Sequence, residues 1–258
     1  MFFFEVSLPS DRTIYPLDAL AYWSAWAQGS LYPAGTSINV ANYIYPPPFA
    51  QVIWPLTLLP FPAFLMLWIA CGIAVYGWLL EPLPLSLRLP AAVAVATIVP
   101  QGNASFLVAA TVVVAMWRPQ AWAVPLLTKV TSIAAMSWYI ARGEWRRLGI
   151  AVATATIIAA VSILIAPDDW FTWVRTVLDL HANRPGLFLP GIAVYSPLWL
   201  RLPLAALIAA LGGRRSWSWS IPVAILVANP DVYGSTFGVL AAIPRLAQVN
   251  PDATTQAV

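Results

Sequence analysis

Between positions 49 and 117 this chain carries two charged residues, Glu81 and Arg88. So long and so uncharged a stretch cannot form the surface of a water-soluble domain, where roughly a quarter of residues are charged. The rest of the chain agrees: 60% of its 258 residues are hydrophobic and 9% charged, and the mean hydropathy is +0.77. The expected class is all-α, a polytopic integral membrane protein. A net charge of +3 gives no reason to expect a nucleic-acid partner. The single cysteine, Cys71, lies in an apolar run and reads as a small hydrophobe. The start, "MFFFEVSLPS", lacks both the basic residues and the apolar length of a signal peptide.

Positions 61–80 and 148–167 are apolar over the length that a helix needs to cross roughly 30 Å of hydrocarbon. Positions 48–60 are interrupted by Pro55 and end at Pro60, which predicts a short, tilted or re-entrant helix leading into the first span. Shorter apolar runs occupy 89–100 and 103–117 on either side of "PQGN", 120–128 and 130–141 on either side of Lys129, 191–213 with Arg201 as its one charge, and 217–229 and 232–244 on either side of "NPD". About seven to nine membrane segments follow, several short or broken. Broken helices persist at membrane depth only where protein or a water-filled cavity serves the freed backbone groups, so a cavity is expected.

Arginines set the orientation. With residues 1–46 outside and 120–141 folded out and back as a hairpin, Arg88, Arg118, Arg142, Arg146, Arg147, Arg214, Arg215 and Arg245 fall inside. A single crossing there would send "RGEWRR" and "GGRR" to opposite sides, which favours the hairpin. The expected organisation is a first extracytoplasmic loop over 1–46, a helical membrane domain over 47–247 with a second outer loop at 167–190, and a cytoplasmic tail over 248–258. Within that second loop, "DDWFTWVRTVLDL" suits a helix lying on the membrane, with Asp168 and Asp169 in its first turn.

The motifs now have an order: "LDALAYWSAWAQGSLY", "YIYPPPFAQVIWPLTLLP", "VPQGNASFLV", a lysine between two short apolar pieces, "RGEWRRL", and "ANPDVYGSTFGVLAAIP". This order resembles glycosyltransferase family 87, the C-type-fold enzymes that include polyprenyl-phosphate-mannose-dependent mannosyltransferases. The resemblance covers positions of about 15 to 247. It implies transfer of a hexose such as mannose from a polyprenyl-phosphate sugar to a glycolipid or glycan acceptor. The enzyme would sit among the lipids of a bacterial plasma membrane with its active site facing outside. It also implies an aspartate of the first outer loop as catalytic base, a place matched by Asp18. Two features depart from the family: Val130 follows the lysine where proline is usual, and no transmembrane helix precedes the aspartate loop. The second departure predicts a start codon upstream or a truncated, non-catalytic relative. A lipid-linked-sugar translocator is the other reading that broken helices and a midplane cation allow.

Transfer from a lipid phosphate needs a carboxylate to accept a proton and cations to hold the phosphate as charge builds on it. It needs no metal or other cofactor, and one histidine with no closely spaced cysteines offers no metal cluster. Asp18 is the expected base, against the plainer role of starting a helix. Lys129, Arg201, Arg184 and His181 are the expected phosphate contacts, with snorkelling to the interface as the alternative for Lys129 and Arg201. Tyr22, Tyr45 and Asn103 are expected to line the substrate cavity, Asn103 also serving with Gly102 as a turn. Tyr43 and Tyr45 read as headgroup-level aromatics, and Pro46, Pro47 and Pro48 as a stiff segment that aims the outer loop over the cavity.

Overall fold

The computed structural model describes residues 17–26, 31–32, 43–182, 198–229 and 234–249. All regular structure among them is helical. The α-helices are α1 (Leu17–Ser24), α2 (Pro47–Thr57), α3 (Phe61–Leu80), α4 (Leu85–Ala96), α5 (Ser105–Ala115), α6 (Ala123–Thr128), α7 (Ser137–Arg142), α8 (Trp145–Ile165), α9 (Pro167–Ala182), α10 (Leu198–Arg214), α11 (Ser220–Ala228) and α12 (Ile243–Leu246). Tighter 3₁₀ pieces at Val99–Gln101, Pro119–Trp122, Val130–Met136 and Gly234–Ala242 occupy several of the predicted breaks. Two helices, α3 and α8, are each long and apolar enough to cross a membrane.

At the centre stands α5. Phe106, Val108, Ala109, Val112 and Val113 are all buried, while the face of Leu107, Ala110, Thr111 and Val114 is partly open, so the apolar helix is covered around most of its circumference. The surrounding helices turn large apolar side chains outward: Met66, Leu67 and Ile73 on α3, Leu85, Leu87 and Val93 on α4, and Ile157, Val161 and Leu164 on α8. No residue of α4 is buried. A surface of this kind suits hydrocarbon rather than water as its solvent.

Polar links gather one end of the bundle. The Arg245 guanidinium bonds the Glu81 carboxylate, donates to the Trp78 carbonyl at 2.7 Å and lies over the Trp78 ring. Arg88 donates to the Leu83 carbonyl at 2.9 Å and to that of Glu81. Two cations thus serve the last carbonyls of α3, where the helix dipole also favours them. Ser218 donates to the Leu246 carbonyl at 2.6 Å, Arg142 to Ser216 Oγ at 2.7 Å, and Arg142 and Arg147 both pair with the buried Glu144. Arg147 then donates to the Met116 carbonyl just past the end of α5. This chain of contacts brings "RGEWRR" and "GGRR" to the same end, as the hairpin arrangement requires.

The hairpin itself is present. Trp122 Nε1 donates to the Tyr139 hydroxyl at 3.0 Å, and that hydroxyl donates to the Ala115 carbonyl at 3.1 Å. The two arms therefore meet at the arginine end, and the chain reverses at Lys129, whose backbone leaves the helical region (φ −126°, ψ 82°). Seven residues separate Trp122 from Lys129, so the tip stands about 10 Å into the bundle at 1.5 Å per residue. The other end of the bundle carries α1, the start of α2 and α9. The Trp170 indole, one turn into α9, donates to Ser162 Oγ of α8 at 3.0 Å. Positions 183–190 of the expected second outer loop lie outside the described residues.

Candidate active site

Three prolines in succession supply no N–H, so the carbonyls around them must find donors elsewhere. Aromatic side chains provide them. The Ile44 carbonyl accepts from Trp173 Nε1 of α9 at 3.1 Å, the Tyr45 carbonyl from the Tyr32 hydroxyl, and the Pro46 carbonyl from the Tyr43 hydroxyl at 2.9 Å. Pro46 is extended (φ −56°, ψ 154°), and Pro47 and Pro48 open α2, where a missing N–H costs nothing. Tyr43 is buried and Tyr45 half-buried. Their ring centroids lie 6.0 Å apart and both rings pack on Phe49. These tyrosines serve the interior, so the expectation of headgroup-level aromatics gives way: the Pro46 carbonyl claims the Tyr43 hydroxyl and the core beneath claims both rings.

Tyr22 of α1 joins this cluster, its ring 5.5 Å from Tyr45, 5.3 Å from Phe49 and 5.6 Å from Trp68 between centroids. Such pairs are worth about 0.5–1.5 kcal/mol each beyond their buried area. The Tyr22 hydroxyl donates to the Tyr45 hydroxyl at 3.1 Å and accepts the Ala104 N–H at 3.2 Å. Burial raises both phenol pKa values, so the two hydroxyls stay neutral donors.

Gly102 brings α1 and α5 together. Its φ of +70° lies in the left-handed region, and a Cβ there would fall 2.5 Å from the Cβ of Ala19. Only glycine meets both demands. Trp68 Nε1 fixes the turn by donating to the Gly102 carbonyl at 2.7 Å. The next residue, Asn103, opens α5: its Oδ1 accepts the Ser105 N–H at 2.9 Å and the Ser105 hydroxyl. Because a backbone N–H can only donate, this contact settles which end of the amide is oxygen. Nδ2 is left to donate to Asp18 Oδ2, at 2.9 Å. Asn103 is thus both the expected turn residue and a direct partner of the expected base.

Asp18 is half-buried in the first turn of α1. Burial raises its pKa; the Asn103 hydrogen bond and the charge of Lys129 pull the other way. The cation at the hairpin tip therefore acts on the carboxylate at the opposite end of the bundle. Trp68 sits seven residues into α3, which sets this constellation about 10 Å below that helix's first residue. A small crevice of about 10 Å³ lies beside it, lined by Trp68, Gly72, Tyr76, Val99, Asn103 and Phe106, among others.

Of the expected site residues, the fold brings together Asp18, Tyr22, Tyr45, Asn103 and the charge of Lys129. Arg201 does not snorkel: it is buried, and its Nε donates to the Val227 carbonyl at 2.9 Å in the last turn of α11. A cation belongs there because terminal carbonyls lack intrahelical partners. His181 lies in the last turn of α9, its side chain outside the described residues, and Arg184 lies outside them altogether. Sequence reasoning missed three contributors: Trp68, Ser105 and Tyr76. Trp68 is hidden in a run apolar throughout. Ser105 was findable, since "NAS" before an apolar run is a helix-start signal. Tyr76 is 3% exposed, and its hydroxyl has no partner among the described residues.

No curated protein and no solved structure matches the chain. The sequence model of glycosyltransferase family 87 matches residues 43–254. That span holds Tyr45, Trp68, Gly102, Asn103 and Lys129; Asp18 and Tyr22 precede it and are joined to it by the contacts above. A family whose pattern runs through most of the chain, on an all-helical fold with its polar groups gathered at the ends, implies a membrane glycosyltransferase: the chain belongs to glycosyltransferase family 87.

Proposed function

We propose that this chain transfers a hexose, mannose by the family resemblance, from a polyprenyl-phosphate sugar to a glycolipid or glycan acceptor, with Asp18 as general base. The observation that carries the reading is the Asp18 carboxylate itself. It is half-buried, held through one oxygen by Asn103 and within reach of the Lys129 charge. The second oxygen is left to take the proton of an acceptor hydroxyl. That hydroxyl oxygen attacks the anomeric carbon, the bond from this carbon to the phosphate oxygen breaks, and its electron pair leaves with the polyprenyl phosphate. Lys129 answers the charge that builds on the phosphate. With the arginine-rich end in the cytoplasm, the site faces outward.

The test is transfer from radiolabelled polyprenyl-phosphate mannose in membranes containing the chain, beside Asp18→Asn. The amide keeps the shape but cannot take a proton, so transfer should fall by about 10²–10⁴-fold, with membrane insertion unchanged. Undiminished transfer by Asp18→Asn would remove Asp18 from the role of base.

A further inference from the structure

A second depression lies at the arginine end, away from Asp18. It is an open groove of about 480 Å³ between α7 and α10, lined by Ser137, Ile140, Ala141, Ala206, Leu207, Ala210 and Arg214. Five of its seven lining residues are apolar, with Ser137 and Arg214 supplying polar surface. Three alanines leave space where larger side chains would close it, while Ile140 and Leu207 stand on the outward side, 48% and 54% exposed. The groove is held open next to a tight crossing of the same two helices, where a Cβ on Gly213 would fall 2.5 Å from the Trp138 carbonyl oxygen. The packing cannot simply collapse there, because backbone already meets backbone.

The mouth is cationic. Arg142, Arg146, Arg147, Arg214 and Arg215 cluster here with Glu144, and Glu81, the other described acid of this end, is taken by Arg245. Arg142 and Arg147 are both held to Glu144, and Arg215 lies over the Trp217 ring, its guanidinium 4.7 Å from the centroid. Arg214, in the last turn of α10, is exposed and is the one arginine that lines the groove.

We propose that this groove binds one anionic phospholipid, its phosphate at Arg214 and an acyl chain along Ile140, Ala206, Ala210 and Leu207. An apolar trough on a hydrocarbon-facing surface takes an acyl chain. A surplus of arginine at its end selects the headgroup by charge, as basic pockets between membrane helices do. The site is distinct from the donor-lipid site, which the proposed function places at the opposite end with Asp18.

The experiment is native mass spectrometry of the purified full chain, equilibrated with equimolar phosphatidylglycerol and phosphatidylcholine. The wild type should carry predominantly the anionic lipid. Arg214→Gln should lower that preference about fivefold, the worth of one arginine beside an anionic surface. Ala210→Phe, which fills the trough, should lower retention of both lipids. Arg146→Gln, at the same end but outside the groove lining, should leave both unchanged. Equal retention of the two lipids by the wild type would overturn the proposal, as would a full preference in Arg214→Gln. Loss of preference in Arg214→Gln with full retention in Ala210→Phe would also overturn it, because attraction would then lie at the surface and not in the groove. Should Ala210→Phe fail to fold, the exposed Arg214→Gln decides alone.

Discussion

Asn103 Nδ2 lies 2.9 Å from Asp18 Oδ2, a hydrogen bond that joins the start of α5 to α1 across 85 positions of sequence. The same amide accepts the N–H of Ser105, the first residue of α5, through its oxygen. The two roles separate by substitution. Asn103→Ala loses both: about 1 kcal/mol of stability with that hydrogen bond, and up to about 10²-fold in turnover with the carboxylate's orientation. Asn103→Asp keeps an accepting oxygen but faces Asp18 with a second carboxylate. It should melt close to the wild type and still lose transfer at neutral pH. Thermal midpoints and turnover measured on the same samples check both expectations.

Transfer should fall on the acid side with a limb above the ordinary carboxylate pKa of about 3.9, because burial raises that of Asp18. Lys129 opposes this rise, so Lys129→Met should move the limb to higher pH. The stability term has the same origin. Folding raises the Asp18 pKa, so the folded state holds this proton more tightly than the unfolded chain does. The contribution is therefore full below the ordinary carboxylate range and is lost as pH rises through the raised value. Rate profiles of the wild type and Lys129→Met between pH 4 and 8 are the measurement.

Gly102→Ala places a methyl group against Ala19 at a φ of +70°. The left-handed backbone costs about 1 kcal/mol for a non-glycine residue, and the clash pushes α1 off the turn. Transfer should drop at least tenfold. Ala19→Gly in the same chain should recover part of it by giving the methyl room, whereas Ala19→Gly alone should be mild. Recovery in the double variant is the outcome to look for; none would mean that the backbone conformation, and not the approach of α1, carries the effect.

Glu144 is buried between Arg142 and Arg147. Glu144→Gln leaves two guanidinium groups without their countercharge, a change that costs about 3 kcal/mol or more when a buried pair is broken. Unfolding in denaturant should report that loss. Transfer per folded molecule should be unchanged, since Glu144 lies at the end opposite Asp18.

Much of this molecule was legible in the order of its apolar runs. Phe61–Leu80 is a helix over the run as written, and the hairpin at Lys129 followed from the need to keep two arginine loops together. Candidate residues could be picked out where a residue type stood out from its surroundings, as Asp18, Asn103 and Lys129 do. Trp68 could not be read, because a long apolar run gives no sign of which face looks inward; only the Gly102 carbonyl it serves distinguishes it. The partner of Arg201 could not be read for a related reason: the helix end it serves, at Val227, lies 26 positions away. Tyr43 misled because an interface tyrosine and one that serves a nearby proline carbonyl look alike in sequence, and Tyr45 because its hydroxyl's partner, Tyr22, lies 23 positions away.

The lysine at the hairpin tip stands on a stem rooted at the arginine end, while the aspartate it influences hangs from the opposite rim. No short stretch of chain ties one to the other. Their separation is a dimension of the whole bundle, like the gap between two piers built from opposite banks. A bilayer thinner or thicker than the helices prefer bears on that gap first, through tilt and sliding.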